Sequence, residues 1–230
     1  MTDRAGALLL AIAASPGAAF DPPWARLSGR PVLSWSLTAL ARSPLISRVA
    51  LVVSDRLDEA RRLAAAVGPV AVLSAGGYRA ALAAGLHELA DCDCLVLHDA
   101  ARPLLDVELL RPGLEAVTAT GAAVAALPAS QTMKRVLNGR VVGTLPRVAL
   151  YSAQTPLVLG RRPLRSALRD AELDITDEAS LLACLAGQLC IFPAYADNRK
   201  LTRPGDLEIA EACLASGGGG QRRGRPRSAR

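Results

Sequence analysis

The chain has 230 residues, of which 51% are hydrophobic and only 3% aromatic, and its formal net charge is +6 at pH 7. Five of the positive charges lie on arginines after residue 221, where no acidic residue occurs, so the rest of the chain carries a net charge of only +1. A folded part this close to neutral argues against a basic groove for specific nucleic-acid binding, and the length allows one α/β domain, or a domain with a small appendage.

The first apolar segment, residues 5–14, is followed by small residues, a pattern that could be mistaken for a secretory signal. Asp3 precedes it beside a single Arg4, and the segment is too short to span a bilayer. We therefore expect a buried first strand over residues 7–13. The five cysteines are an odd set without zinc-ligand spacing, which favours reduced thiols in the cytoplasm. Since no other stretch approaches transmembrane length, we expect no contact with a membrane.

Short apolar runs alternate with helical patterns through the first half of the chain. The predicted strands cover residues 7–13, 48–53, 69–73, 94–97 and 122–127, and the predicted helices cover 32–41, 55–67, 80–89 and 106–119. This alternation is typical of a mostly parallel twisted sheet with right-handed crossovers and helices on both faces.

Two turns of small residues follow predicted strands, where backbone N–H groups can approach a bound phosphate. The first, residues 15–23, has a single glycine, and no basic residue occurs between Arg4 and Arg26, so it is a weak phosphate loop. The second contains Gly76 and Gly77 before Arg79. A plain tight turn is the alternative interpretation of this glycine pair.

A polar sequence, His98-Asp99-Ala100-Ala101-Arg102-Pro103, directly follows the strand predicted at 94–97. Ligands of open α/β sheets bind beyond the carboxyl ends of parallel strands. There Asp99 can hold a divalent cation or a hydroxyl group, and Arg102 can bind phosphate with two parallel hydrogen bonds. An aspartate that caps the next turn, with an arginine in a surface ion pair, explains the same residues without a ligand.

The strand–helix alternation stops at residues 131–145, where two strand-like segments flank Asn138-Gly139. This dipeptide is a strong hairpin signal because both turn residues need a positive φ angle. A two-stranded hairpin is barely stable alone in water, so it must pack against the sheet or another subunit. We expect an arm that reaches a partner chain.

The remaining elements are predicted from shorter patterns. They are a strand at 151–159 containing Gln154-Thr155-Pro156, a helix at 163–173, a helix from an N-cap at Thr176 to residue 186, a strand at 189–194 and a last helix ending at 215. A glycine linker at 216–220 leads to the arginine-rich end, and we expect residues 216–230 to form a disordered tail.

Several motifs occur together in a fixed order. They are His98-Asp99-Ala100-Ala101-Arg102-Pro103, Thr132-Met133-Lys134, Thr155-Pro156, Thr176-Asp177-Glu178-Ala179-Ser180 and Asn198-x-Lys200-Leu201-Thr202-Arg203-Pro204. Together they resemble the 2-C-methyl-D-erythritol 4-phosphate cytidylyltransferase family. The resemblance implies a Rossmann-like nucleotidyltransferase domain over residues 1–215 and a homodimer with exchanged arms at 131–146. It also implies CTP and Mg²⁺, and attack of the methylerythritol phosphate on the α-phosphorus of CTP with release of pyrophosphate, a step of non-mevalonate isoprenoid biosynthesis.

The resemblance also implies roles for individual residues. Lys200 matches a catalytic lysine near the substrate and α-phosphates, and Arg147 matches a catalytic arginine that binds the sugar phosphate from the partner subunit. The implied substrate-binding residues are Asp99, Arg102, Thr132 and Thr155. The implied nucleotide-binding residues are Ala13, Ala14, Gly76, Gly77, Arg79, Asp99, Ala100 and Lys200, and Asp99 is also the implied metal ligand.

The front of the chain departs from the family pattern. The position of a family lysine falls on Pro22, which cannot donate a hydrogen bond, and a family serine is replaced by Ala81 or Leu82. Arg26 or Arg30 could supply the missing charge. Two alternatives therefore stay open beside the cytidylyltransferase: a weak or inactive dimeric homologue that binds a nucleotide or sugar phosphate, and a cytidylyltransferase for another polyol phosphate. In either enzyme, Lys200 must lie close to Asp99.

Overall fold

Strands and helices alternate along the residues that the computed structural model describes, which are 4–12 and 19–217. The strands are β1 (Ala5–Ala11), β2 (Arg26–Leu27), β3 (Arg30–Pro31), β4 (Arg48–Val53), β5 (Val70–Ser74), β6 (Cys94–Asp99), β7 (Ala122–Pro128), β8 (Met133–Leu137), β9 (Arg140–Leu145), β10 (Tyr151–Gly160) and β11 (Leu189–Pro193). The helices are α1 (Val32–Ala41), α2 (Leu57–Ala65), α3 (Tyr78–Glu88), α4 (Leu110–Thr120), α5 (Arg161–Arg169), α6 (Glu178–Cys184) and α7 (Gly205–Ala215).

Seven strands form one sheet in the order β11-β7-β10-β6-β1-β4-β5. β1 pairs in parallel with β4 and β6, and β4 pairs in parallel with β5. β10 is antiparallel to both of its neighbours, β6 and β7. The predicted mostly parallel sheet is therefore confirmed, with one antiparallel strand inserted beside its centre.

Both faces of the sheet are covered by helices, as predicted. Alternate residues of β1 enter two separate cores: Leu9 packs in one core with Leu37 of α1, and Leu8 packs in the other with Leu82 of α3. Residues of α1, α2 and α4 complete the first core, and residues of α3, α5 and α6 complete the second. Burial of one leucine side chain contributes roughly 2 kcal/mol to the free energy of unfolding. The many buried side chains of these two cores therefore fix the sheet, and with it the ends of its strands.

Element ends differ from the sequence predictions by a few residues. The first strand begins two positions earlier than predicted and ends at Ala11. The N-cap of α6 is Asp177 rather than Thr176, because the Asp177 carboxylate accepts a hydrogen bond from the Ser180 N–H at 2.8 Å. The Ser180 hydroxyl oxygen accepts one from the Asp177 N–H at 3.0 Å, which closes a capping box.

β8 and β9 form a separate two-stranded sheet, and nearly all of its residues are exposed. Asn138 and Gly139 connect them with φ angles of 48° and 75°, as the hairpin prediction requires. Val136, Leu137 and Val141 are each more than half exposed. This arm, residues 131–146, therefore presents apolar side chains to solvent.

No helix within residues 4–12 and 19–217 is long and apolar enough to cross a membrane. The arginine-rich end predicted to be disordered lies outside the described residues from position 218 onward. Ala13 and Ala14, two of the implied nucleotide-binding residues, also lie outside them.

Candidate active site

A cavity of about 490 Å³ opens at the carboxyl ends of the central parallel strands. Leu10 of β1, Asp55 after β4 and Asp99 of β6 line it. The first turns of α3 and α6 and the segment before α7 close its other sides. This is the edge at which open α/β sheets bind their ligands.

Lys200 and Asp99 meet in the wall of this cavity. The Lys200 Nζ lies 2.6 Å from Oδ2 of Asp99. The other carboxylate oxygen of Asp99 accepts a hydrogen bond from the Ala101 N–H at 2.8 Å, and the Asp99 N–H donates to the Thr155 hydroxyl at 3.1 Å. The predicted proximity of Lys200 and Asp99 is thus present, with Thr155 beside them.

Asn198 anchors the segment that carries Lys200. It is 1% exposed, and its side-chain amide donates to the Thr155 carbonyl at 2.6 Å and to the Gln154 side chain at 3.1 Å. The Asn198 carbonyl accepts from the Arg102 guanidinium at 2.9 Å. Sequence reasoning gave Asn198 and Gln154 no role, although Asn198 belongs to the motif quoted for Lys200.

Arg102 points into the protein rather than into the cavity. It is 8% exposed, and its guanidinium holds the Asn198 carbonyl. Burial lowers its pKa from the ordinary arginine value, while the nearby carboxylates of Glu178 and Asp99 oppose that shift. Arg102 therefore joins the end of β6 to the Lys200 segment, and a direct contact with substrate stays a prediction.

His98 is completely buried beside the cavity floor. One ring nitrogen, Nε2, lies 3.0 Å from the Arg102 carbonyl, so it must carry the hydrogen because a carbonyl only accepts. Burial lowers the pKa of His98 to about 4, although its hydrogen bond to Arg102 and the charge of Asp99 act in the opposite direction. The imidazole is therefore neutral at neutral pH and holds the turn after β6.

The cavity wall is rich in carboxylates. Among the described residues, its charged side chains are one ammonium, that of Lys200, and the carboxylates of Asp21, Asp55, Asp99, Asp177 and Glu178. Burial raises the pKa of Glu178 and of Asp21. Hydrogen bonds from Ser180 lower the pKa of Asp177. A polyanion bound here needs more positive charge than Lys200 supplies.

The second glycine turn reaches the cavity only in part. Gly77 and Tyr78, at the start of α3, line the wall. The Arg79 guanidinium is directed to α5 and the loop after it, where it donates to the carbonyls of Leu168, Asp170 and Leu173 at 2.6 to 2.8 Å. A role for Arg79 in nucleotide binding stays a prediction, as does that of Gly76.

Ala100 is fully buried, and its N–H donates to the Leu10 carbonyl at 2.9 Å. This bond fixes the end of β6 against β1, next to the carboxylate of Asp99. The nucleotide contact implied for Ala100 stays a prediction.

Thr132 and Arg147 lie at the base of the arm and do not line this cavity. Both are exposed, and the Arg147 guanidinium donates to the Ser130 carbonyl at 2.7 Å. The structure therefore does not bring these two residues to the Lys200–Asp99 pair of the same chain.

Arg26 and Arg30 are held away from the cavity. The Arg26 guanidinium donates to the Gly29 carbonyl at 2.7 Å. The Arg30 guanidinium donates to the Thr38 hydroxyl at 3.2 Å and lies 4.7 Å from the centroid of the Trp35 ring. Pro22, at the position of the family lysine, does line the cavity.

The carboxylate of Asp99, beside Lys200, is the candidate ligand for a divalent cation. Asp99 offers oxygen ligands at the cavity wall. No group of three or more metal-ligating side chains occurs in the described part of the chain. Mg²⁺ is commonly held by one or two carboxylates together with substrate phosphates and water, so Asp99 fits that mode of binding rather than an all-protein site.

The sequence and the fold match those of known proteins. A family model described as 2-C-methyl-D-erythritol 4-phosphate cytidylyltransferase matches residues 17–216. A protein of that name from Dehalococcoides mccartyi strain 195 is 38% identical over 224 residues, covering 94% of this chain and 99% of the other. Another, from Acidobacterium capsulatum, is 36% identical over 200 residues, covering 80% and 83% of the two chains.

Two crystal structures resemble most of the chain. A 4-diphosphocytidyl-2C-methyl-D-erythritol synthase superposes with a TM-score of 0.76 at 27% identity, covering 93% of this chain and 100% of the other. The 2-C-methyl-D-erythritol 4-phosphate cytidylyltransferase of Thermus thermophilus gives 0.71 at 27% identity, covering 90% and 98%. The family model, the sequences of the relatives and the folds of the crystal structures all match this chain over most of its length. The chain therefore belongs to the 2-C-methyl-D-erythritol 4-phosphate cytidylyltransferase family.

Proposed function

We propose that this protein transfers a cytidylyl group from CTP to 2-C-methyl-D-erythritol 4-phosphate and releases pyrophosphate, a step of non-mevalonate isoprenoid biosynthesis. The observation that carries the proposal is the Lys200–Asp99 pair, 2.6 Å apart in a cavity at the strand ends of this family's fold.

The chemistry needs fixed positive charge at the α-phosphorus. A phosphate oxygen of the sugar substrate forms a bond to that phosphorus, and the bond to the bridging oxygen of pyrophosphate breaks. Negative charge spreads over the equatorial oxygens, so catalysis depends on positioning and electrostatic stabilisation. The ammonium of Lys200 supplies that charge, and Asp99 and the Asn198 anchor keep it in place.

Mg²⁺ is proposed as the cofactor, with Asp99 as its protein ligand. Bound Mg²⁺ would offset negative charge on the phosphates of CTP. Five carboxylates around one ammonium, among the described residues of the wall, make such compensation necessary.

We propose a homodimer in which the arm of each subunit enters the cavity of the other. Thr132 and Arg147 then complete the partner's site. Support comes from the exposed apolar side chains of the arm and from the position of both residues outside their own cavity. Burial of those side chains in a subunit interface would stabilise an arm that is weak alone.

The proposed organisation is a single nucleotidyltransferase domain over residues 1–215, and the arginine-rich end after it lies outside the described residues from position 218 onward. A cytoplasmic location agrees with a cysteine pattern that favours reduced thiols.

A weak or inactive homologue that binds a nucleotide or sugar phosphate is the second candidate, and the acidic cavity wall is the observation that favours it. Transfer to another polyol phosphate is the third.

The deciding experiment measures pyrophosphate release by the purified full chain with CTP, Mg²⁺ and 2-C-methyl-D-erythritol 4-phosphate. Release that requires all three supports the proposal. CTP binding without turnover supports the second candidate, turnover only with a different polyol phosphate supports the third, and the absence of both binding and turnover refutes all three.

A further inference from the structure

A bound nucleoside triphosphate would place about four negative charges against a wall whose described residues hold five carboxylates and one ammonium. Residues 13–18, which lie outside the described residues, read Ala-Ala-Ser-Pro-Gly-Ala in the sequence and include no basic side chain. Backbone N–H groups alone do not balance this charge. The proposed Mg²⁺ offsets part of this charge, and a further cation at the same edge of the sheet would offset more; this inference rests on the proposed function.

Most arginines near this edge are already engaged with backbone carbonyls. Arg26 is held by Gly29, Arg79 by the α5 region and Arg102 by Asn198. Redirecting any of them would break hydrogen bonds that fix the fold. They are poor candidates for a ligand contact.

Arg56 is held much more loosely. Its guanidinium Nη2 lies 3.8 Å from Oδ2 of Asp21, and its Cζ lies 5.3 Å from the centroid of the Trp24 ring. Within the described residues the structure gives this side chain no hydrogen bond, and the side chain is 47% exposed. Asp21 lines the cavity and Arg56 does not, so the guanidinium lies next to a carboxylate of the wall without itself lining the cavity.

The backbone of Arg56 is also unusual. It has φ of 50° and ψ of 39°, the left-handed region that residues other than glycine rarely adopt. Arg56 is the last residue of the connection between β4 and α2, and the preceding residue, Asp55, lines the cavity. Strained conformations of this kind concentrate at functional sites, where the side-chain direction that they enforce is used.

The sheet order places Arg56 at a suitable distance from the reacting centre. Asp99 ends β6 and Arg56 follows β4, with β1 between these strands. Two strand spacings amount to roughly 10 Å. A triphosphate whose α-phosphate lies beside Lys200 and Asp99 can therefore extend across the end of β1 towards Arg56.

We propose that Arg56 binds the terminal phosphates of CTP. The guanidinium exchanges its loose contact with Asp21 for two parallel hydrogen bonds to phosphate oxygens, and the Trp24 ring keeps its plane oriented. Arg56 thereby supplies the positive charge that is missing at Pro22. Arg26 and Arg30 do not supply it, because both are held away from the cavity.

The test compares binding of CTP and of CMP to the full chain by calorimetry in the presence of Mg²⁺, because CMP lacks the terminal phosphates. We expect Arg56→Gln to weaken CTP binding by at least about tenfold and to leave CMP binding unchanged, since each charged hydrogen bond lost is worth that much. Arg56→Lys should give an intermediate loss, because an ammonium keeps the charge but not the planar pair of donors.

Two further variants keep the result interpretable. Arg61→Gln removes an exposed arginine of α2 that pairs with Asp58 at 3.2 Å, and it should bind CTP as the wild type does. Arg56→Gly removes the cation and relieves the left-handed backbone, so its melting temperature should not fall while CTP binding weakens as in Arg56→Gln.

Wild-type affinity for CTP in both Arg56→Gln and Arg56→Gly overturns the inference and leaves the proposed function intact. Equal weakening of CTP and CMP binding also overturns it, because the terminal phosphates are then not what Arg56 contacts. Failure of the wild-type chain itself to bind CTP overturns the proposed function and this inference with it.

Discussion

The Lys200 ammonium lies 2.6 Å from the Asp99 carboxylate, although the two residues come from distant parts of the chain. The end of β6 supplies Asp99, and a segment fixed by Asn198 supplies Lys200. The pair lies at the cavity wall, and the lysine side chain is 47% exposed, so the ammonium is accessible to a bound phosphate.

Replacing Lys200 tests its role at the α-phosphate. We expect Lys200→Met to lower kcat by about a hundredfold or more, because the fixed charge that stabilises the transition state is lost. Steady-state measurement of pyrophosphate release gives kcat and KM. The matched control is Arg199→Gln, which removes the exposed neighbouring charge and should keep wild-type kcat. An undiminished kcat in Lys200→Met would exclude this role.

Asn198 is predicted to act as a positioning residue for Lys200. Asn198→Ala leaves the Thr155 carbonyl and the Gln154 side chain without their buried donor, so we expect the free energy of unfolding to fall by about 1 to 3 kcal/mol. If positioning matters, kcat falls about tenfold or more while KM for CTP changes little. Urea unfolding and steady-state kinetics measure the two effects. A loss of stability with unchanged kcat would reduce Asn198 to a purely structural role.

His98 is predicted to make the stability of the protein depend on pH. Its pKa is lowered to about 4 in the folded state, whereas the unfolded chain takes up a proton near the ordinary value of 6.5. Below pH 6.5 the unfolded state therefore binds more protons, and stability falls as the pH falls towards 4. Between pH 7 and pH 5 this amounts to about 2 kcal/mol in the free energy of unfolding.

Urea unfolding at pH 7 and pH 5 checks this expectation. His98→Gln keeps a side-chain N–H that can donate to the Arg102 carbonyl but cannot titrate, so its stability should change less between the two pH values. His87→Gln, which alters the chain's other histidine in the last turn of α3, controls for the loss of a histidine. A pH dependence in His98→Gln equal to that of the wild type would contradict the prediction.

The exchanged arm is tested by mixing subunits. Lys200→Met and Arg147→Ala should each be impaired alone. In a mixed dimer, the cavity that keeps Lys200 receives Arg147 from the partner, so co-refolded subunits should recover about one quarter of wild-type activity for random pairing. Light scattering measures the mass, and pyrophosphate release measures the activity. A monomer, or a dimer that recovers nothing on mixing, would rule out the arm-swapped site.

Local signals in the sequence predicted most of the secondary structure. The helix at Val32–Ala41 and the strand at Arg48–Val53 have the predicted bounds, because their apolar patterns are long and clear. The hairpin followed from Asn138-Gly139, whose conformation depends on two adjacent residues only. The N-cap of α6 was displaced by one residue, since Thr176 and Asp177 are both good caps and only the bond to Ser180 distinguishes them.

By itself, the sequence determined the alternating α/β order, the family motifs and the hairpin, because each depends on residues close together in the chain. Only the tertiary structure decided that β10 runs antiparallel beside β6, that the Arg102 guanidinium turns inward to Asn198, and that Asn198 holds the Lys200 segment against Thr155. These relationships depend on which distant segments pack together and on where each side chain then finds its hydrogen-bond partner, and no local pattern of residue types contains that information.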